Sequence, residues 1–362
     1  MSLTNKLVSS YSAAVKLSEK YESKHWVIIN QPKRDYFFQS LNDDFSKIEN
    51  FRSNKFLSEG LDDAVDRKFI PDVFFKLGEM HGFEKILQYM QSKNIGNSEH
   101  SIKIFEKYTD YNELFHIDMA IKLDEHIFSK LSYPIVCEIG GGYGSLARMI
   151  LSKNKCKYIL IDLPEANILS SYYLDQHFSS HGKNILHFCD LNQDTLSLDD
   201  IHDFDIIILP PHVRFHENLK IDLFINSRSM MEMTKNVIKE YFELIHNNIH
   251  EMGYFLNINR YIKTTVGEKI MISRYPYDDN WKVKISEKAF LQDHIHFLLA
   301  QRNFSDISDI SIELSNLEIE AKKYFESTFS KYFRKLLNNL KLIIPANIKN
   351  KIRLVLFQNN PE

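Results

Sequence analysis

A carboxylate and three glycines at alternate positions, Glu138, Gly140, Gly142 and Gly144, are the residues of this chain best suited to do chemistry. They stand in Tyr133-Pro-Ile-Val-Cys-Glu-Ile-Gly-Gly-Gly-Tyr-Gly-Ser-Leu-Ala-Arg148, an apolar run that passes into the glycines and then into a helix start at Ser145. A turn that tight needs residues without a Cβ, because backbone must pass close to whatever lies across the strand end. Eighteen residues beyond Gly144, a second apolar run, Lys157-Tyr-Ile-Leu-Ile-Asp162, closes on another carboxylate. At that spacing Asp162 reaches the hydroxyls of a ribose bound over the glycine turn. The pattern is that of a nucleoside-cofactor site.

Gly142-Tyr-Gly-Ser-Leu-Ala147 also satisfies the G-x-G-x-x-[G/A] dinucleotide fingerprint, so spacing alone leaves a nicotinamide or flavin cofactor open. Charge argues otherwise. A dinucleotide turn presents a helix N-terminus to a pyrophosphate, an anion that Glu138 repels. S-adenosyl-L-methionine (SAM) has no phosphate, and its sulfonium and ammonium attract a nearby carboxylate. E-x-G-x-G-x-G followed by a strand ending in Asp resembles the first two motifs of the class I SAM-dependent methyltransferases. Ile185-Leu-His-Phe-Cys-Asp190-Leu reads as another short strand ending in Asp, where that class usually bonds the adenine amino group.

Asp205-Ile-Ile-Ile-Leu-Pro-Pro211 reads as a fourth, buried strand and Gly253-Tyr-Phe-Leu-Asn-Ile-Asn259 as a fifth. Helical patterns lie between them, at Ser145 to Ser152, Pro164 to Phe178 and Ser229 to His250. Alternating strand and helix imply an α/β fold, a Rossmann-like doubly wound parallel sheet with ligands at the strands' carboxyl ends. Three regions are expected. Residues 1–115 form a helical N-terminal region that selects the acceptor, with amphipathic stretches at Leu7 to Tyr21, Val73 to Met90 and Ser101 to Tyr108. Residues 116–310 form the SAM-binding domain, entered through a helix from Tyr111 to Lys130, and 311–362 a helical C-terminal extension. From Lys322 onward that extension carries nine Lys or Arg against Glu326 and Glu362. The segment Lys331 to Ile344 adds an apolar stripe. A helix packed on the domain with a solvated basic rim is the preferred reading there; peripheral contact with the inner face of a membrane is the alternative.

At 362 residues and 44% hydrophobic content the chain can bury a large core. Its formal net charge of −3 suggests no nucleic-acid partner. Cys137, Cys156 and Cys189 sit in or beside expected core strands, as small buried hydrophobes of a cytoplasmic protein. The N-terminus lacks the apolar run of a signal peptide, and no stretch approaches 18 consecutive apolar residues. The 15 histidines show no zinc-site spacing with the cysteines.

Four segments together resemble the sugar O-methyltransferases of bacterial surface-polysaccharide gene sets: Glu138-Ile-Gly-Gly-Gly-Tyr-Gly144, Ile161-Asp-Leu-Pro-Glu165, Asn226-Ser-Arg-Ser-Met-Met-Glu-Met233 ahead of a helix with Tyr241-Phe242, and Asn257-Ile-Asn-Arg260. The match covers about residues 110–262. The resemblance implies a SAM-dependent O-methyltransferase acting on a sugar of a surface glycan (lipopolysaccharide or capsule) or its nucleotide- or lipid-linked precursor. It carries cofactor roles onto Glu138, Gly140, Gly142, Gly144, Asp162 and Asp190, with Leu163 and Leu191 beside the two aspartates. It carries active-site positions onto Ser229 and Glu232.

A protonated sugar hydroxyl is a poor nucleophile, so a base within hydrogen-bond reach is expected. His212, directly after Pro210-Pro211, is the first candidate, with His216 and Glu232 as the others. Asn226 and Arg260 join Ser229 as expected acceptor-binding residues. Trp26, Tyr36, Phe37 and Phe38 are candidates to stack on a sugar ring, and Lys33 and Arg34 to meet a pyrophosphate, as are Arg274 and Arg260, the latter closing the fifth strand on the ligand-bearing edge. His294 and His296 alternate like metal ligands, but their apolar flanks read as a helix, on which i and i+2 diverge. No metal site is expected, although Asp222 and Asn226 could contribute to one. The rival readings are a small-molecule or natural-product O- or N-methyltransferase, a nicotinamide oxidoreductase, and a catalytically silent SAM-fold subunit of a glycan-assembly complex. The oligomeric state, homo-oligomer included, is left open.

Overall fold

Six parallel strands run through the centre of the molecule: β1 Ile135–Ile139, β2 Lys157–Ile161, β3 Ile185–Leu186, β4 Ile206–Leu209, β5 Ile221–Ser227 and β6 Ile249–Arg260. Two more, β7 Trp281–Ala289 and β8 Gln292–Arg302, complete one edge, and the sheet order is β7-β8-β6-β5-β1-β2-β4-β3. β8 is antiparallel to both β6 and β7. This computed structural model describes residues 3–40, 45–54, 57, 65–191, 193–304 and 308–341.

Both faces of the sheet are covered, so β4 and most of β2 are buried at consecutive positions. Val136, Tyr158, Leu160 and Ile225 enter the core on one face, and Cys137, Ile139, Ile159 and Phe224 the core on the other. The first core is shared with the N-terminal helices α1 Leu3–Ser18 and α3 Ile70–His81, through Leu7, Tyr11, Phe74 and Leu77, and with α4 Tyr111–Leu123. α5 Ser145–Lys153 and α6 Pro164–Phe178 follow β1 and β2, and α7 Lys235–Asn248 links β5 to β6. The C-terminal helix α8 Ile310–Lys341 packs Leu317 and Ala321 into the second core. Its side chains beyond residue 325, and residues 342–362, lie outside the described residues, as does the expected apolar stripe there.

The structure corrects several expectations. β5, which the sequence pattern does not announce, pairs with β1 (Glu138 opposite Ile225). Asp222 and Asn226 interrupt its apolar run, but each has a structural partner: Asp222 Oδ2 accepts the Ile135 N–H at 2.8 Å, and Asn226 braces the turn described below. The strand expected fourth, β4, lies instead on the far side of β2. His294 and His296 stand on a strand, not a helix, because β8 hydrogen-bonds on both sides and is buried along most of its length. The stretch Ser101 to Tyr108 is a hairpin, Ile102–Ile104 with Lys107–Thr109, whose turn residues Phe105 and Glu106 both have positive φ, as two-residue hairpin turns require. α7 begins at Lys235 rather than Ser229, with Thr234 accepting the Val237 N–H as its cap.

Candidate functional site: a glycine turn beneath a helical cover

At the end of β1 the chain turns with φ of +76° at Gly140, +58° at Gly142 and +89° at Gly144, where α5 begins. At Gly140 conformation and space coincide: a Cβ there would lie 1.9 Å from Ser229 Oγ. Ser229 cannot retreat, because its hydroxyl donates to the Ile139 carbonyl at 3.1 Å and accepts from Asn226 Nδ2 at 2.7 Å. Asn226 also donates to Ile139 O at 2.8 Å and accepts the Met230 N–H at 3.0 Å and Asn259 Nδ2 at 2.8 Å. Asn259 Oδ1 in turn accepts the Met231 N–H at 3.0 Å. Two fully buried asparagines thus lock the loop after β5 against the glycine turn.

Two carboxyls flank that turn. Glu138, 3% exposed, accepts the Tyr158 hydroxyl at 2.7 Å, and its Oε2 would lie 2.9 Å from a Cβ on Gly141. Burial pushes its pKa up to about 7; the Tyr158 bond opposes that rise and the nearby Asp162 charge adds to it. Asp162 accepts the N–H groups of Gly142 and Leu163, each at 2.7 Å. Burial raises it to about 6 against those two bonds and the Lys33 charge.

The turn opens into a cavity of ≈ 600 Å³. One part is roofed by the N-terminal region: Tyr21, and Trp26, Asn30 and Lys33 of helix α2 Lys24–Ser40, stand over Asp162 and Leu163. α2 is pinned by Arg34, which bonds Glu165 at 2.7 Å and Glu22 at 2.6 Å. Arg34 is therefore committed to two carboxylates rather than offered to a pyrophosphate. The other part is walled by Tyr111, His116, Arg228, Glu232, Arg260 and His294.

Of the expected site residues, Glu138, Gly140, Gly142, Asp162, Leu163, Ser229, Glu232 and Arg260 border this cavity. Gly144 begins α5 just behind it, and Asn226 is spent on bracing the turn. Asp190 and Leu191 do not border it; Asp190 lies on the turn after the outermost strand β3 and pairs with Lys6 at 2.7 Å. His212 and His216 do not border it either. They follow β4, which both β1 and β2 separate from the Ser229 loop on β5; Pro211, directly before His212, borders the cavity, but neither histidine does. His212 stands 3.6 Å from Asp194, and His216 is exposed. His296 is enclosed by the Tyr261 hydroxyl at 3.2 Å and Ser286 Oγ at 2.8 Å. Among the described residues no cluster of His, Cys, Asp and Glu could hold a metal ion. The side chains of Tyr36, Phe37 and Phe38 lie outside the described residues.

His116 and Arg228 are functional candidates that the sequence pattern does not single out. His116 sits on α4, its Nδ1 buried without a hydrogen-bond partner. Burial, reinforced by the Arg228 charge, pushes its pKa down to about 3, so the ring is neutral. Arg228 has φ +61°, donates to Asn112 Oδ1 at 3.1 Å and lies over the Phe115 ring. The Ser-Arg-Ser sequence at the end of an unrecognised strand is the only signal for it.

No family model matches the chain, and no curated protein matches it. Solved methyltransferases share similar stretches of backbone. The Burkholderia thailandensis 1,6-didemethyltoxoflavin-N1-methyltransferase, with bound 1,6-didemethyltoxoflavin and S-adenosylhomocysteine, is 10% identical, with a TM-score of 0.38 over 67% of this chain and 92% of that one. A SAM-dependent methyltransferase from Aquifex aeolicus is 13% identical, with a TM-score of 0.32 over 53% and 94%. The mitomycin 7-O-methyltransferase MmcR is 15% identical, with a TM-score of 0.33 over 53% and 57%.

Proposed function

We propose that this protein is a SAM-dependent O-methyltransferase whose acceptor is a sugar hydroxyl of a surface glycan or of its nucleotide- or lipid-linked precursor. The observation that carries the cofactor reading is the carboxyl pair Glu138 and Asp162 beside the glycine turn. The fit is specific. Glu138 gives the turn a negative lip suited to an ammonium and hostile to a pyrophosphate, Asp162 keeps lone pairs for a ribose diol, and the Cβ-free Gly140 and Gly141 let the turn pack tightly against Ser229, Leu160 and Glu138. When bound, SAM supplies an electrophilic methyl: the acceptor oxygen forms the new C–O bond as the C–S bond breaks, its electron pair going to sulfur.

The chain's own contribution is placement and proton removal. Glu232 stands on the short turn Met230–Glu232, directly after the Ser229 loop, and borders the acceptor half of the cavity. Its carboxylate is paired with Lys263 and mostly buried. We assign it as the base that takes the hydroxyl proton. Glu232→Gln should then lower kcat by roughly 10²–10⁴-fold with SAM affinity kept, the range for losing a general base. His212→Ala should leave kcat unchanged. A Glu232→Gln enzyme with wild-type kcat, or a crippled His212→Ala enzyme, transfers the role elsewhere.

The raised carboxyls predict a pH profile. Relative to reference values of 4.5 and 3.8, Glu138 and Asp162 keep their protons to higher pH when folded. Across that window the folded state binds more protons than the unfolded one, so stability of the ligand-free protein falls as pH rises towards 7. A cationic ligand selects the ionised forms, so SAM affinity should rise over the same interval with proton release. Calorimetry from pH 5.5 to 8 in buffers of different ionisation enthalpy measures both. Glu138→Gln should flatten the upper part of the curve; a flat wild-type profile removes Glu138 from the cation's surroundings.

The decisive test is calorimetry with SAM and NADH side by side, then labelled methyl transfer to nucleotide-sugars and to phenols. NADH binding without SAM binding overturns the cofactor reading. Transfer to phenols alone overturns the sugar. SAM binding with no turnover on any acceptor favours the silent subunit.

A further inference from the structure

Arg260 closes β6 beside the cavity, opposite Ile295 of β8, and its Nε is buried without a hydrogen-bond partner. Among the described residues it makes no ion pair. Glu232, a carboxylate bordering the same cavity, is paired with Lys263. Arg228 stands at the end of the adjacent strand, its backbone N–H bonded to Ile258 O at 2.7 Å, and also faces the cavity. Its guanidinium is held by the Asn112 amide oxygen and the Phe115 ring. The acceptor half therefore presents two guanidinium groups on neighbouring strand ends.

Arg260 is half-buried, with its Nε closed off and unmatched while the side chain borders the cavity; an anion there would complete it, and its planar fork suits carboxylate or phosphate. We infer that the acceptor carries an oxyanion, a carboxylate or a phosphate, and that Arg260, with Arg228 beside it, is the specificity-determining contact to that group. This rests on the methyltransferase reading and narrows its substrate class to acidic or phosphorylated sugars. A fixed negative group there also lies within the field of a cationic methyl donor, so donor and acceptor attract one another.

The test titrates the protein, saturated with S-adenosylhomocysteine, with glucose, glucuronate and glucose 1-phosphate. One or both anionic sugars should bind roughly 10–100-fold more tightly than glucose, the size of a charge-assisted contact. Glucuronate alone identifies a carboxylate source, glucose 1-phosphate alone a phosphate. Arg260→Gln should erase the preference and Arg260→Lys restore part of it, with S-adenosylhomocysteine affinity unchanged in both. Equal affinity for the three sugars, no binding by any of them, or a preference that survives Arg260→Gln overturns the inference. Failure of the methyltransferase reading registers separately, as absent S-adenosylhomocysteine binding in the wild type.

Discussion

Gly140→Ala should lose detectable SAM binding and unfold at clearly lower denaturant than the wild type. The added methyl meets Ser229 Oγ at 1.9 Å, and the backbone there sits at φ +76°. Left-handed backbone costs an L-residue about 1–2 kcal/mol. Forcing an extra methyl into a packed site adds about 1–3 kcal/mol more. The two effects can be separated. Combining Gly140→Ala with Ser229→Gly removes the clash and leaves the strain, so the double variant should recover part of the stability measured by urea unfolding. A single variant with wild-type stability and affinity would mean that the turn can give way at Ser229 and that Gly140 is not required for the cofactor site.

Arg148→Met should be the second costly change. Arg148, 3% exposed on α5, bonds Glu113 Oε1 at 3.3 Å and the Tyr89 carbonyl. Glu113 is fully buried and also accepts Gln91 Nε2 at 2.6 Å, while Arg52 pairs with Asp110 at 2.5 Å alongside. Removing one member of a buried pair leaves an uncompensated charge, at about 3–5 kcal/mol. Replacing both partners by apolar residues, Arg148→Met with Glu113→Leu, should return most of that loss. The comparison is read from urea midpoints. If the double variant is no more stable than the single one, the pair's partners matter more than its charges, and Gln91 and Tyr89 become the residues to examine.

The glycine turn is legible in the sequence because its causes are local. Alternate glycines report positive φ, and uninterrupted apolar runs such as Ile206–Leu209 report strands covered on both faces. Asp162 follows from the same local logic, one strand and one helix further on. What local pattern cannot carry is strand order. β5 hides behind Asp222 and Asn226, and without it β4 is taken as the neighbour of the site, which puts His212 at the reacting end. β1 is flanked by β5, which runs into Asn226-Ser-Arg-Ser229, and Ser229 and Arg228 border the cavity there. β8 shows the complementary failure: Asp-His-Ile-His-Phe-Leu-Leu satisfies helix and strand patterns alike until pairing on both sides decides it. Asp190 stands apart from the cavity for a third reason. Its strand is displaced to the sheet edge by β4, and a lysine from the far N-terminus, Lys6, claims its carboxylate.

The ion pairs that clamp α2 have a kinetic meaning. Arg34, bonded to Glu165 of α6 and to Glu22 just ahead of α2, ties the N-terminal cover of the cavity to the sheet domain. On the function proposed above, a molecule bound beneath that cover leaves at a rate set in part by how readily the Arg34–Glu165 tie opens. On that same proposal, discharge of the spent nucleoside competes with bond making as the slow event under multiple turnover.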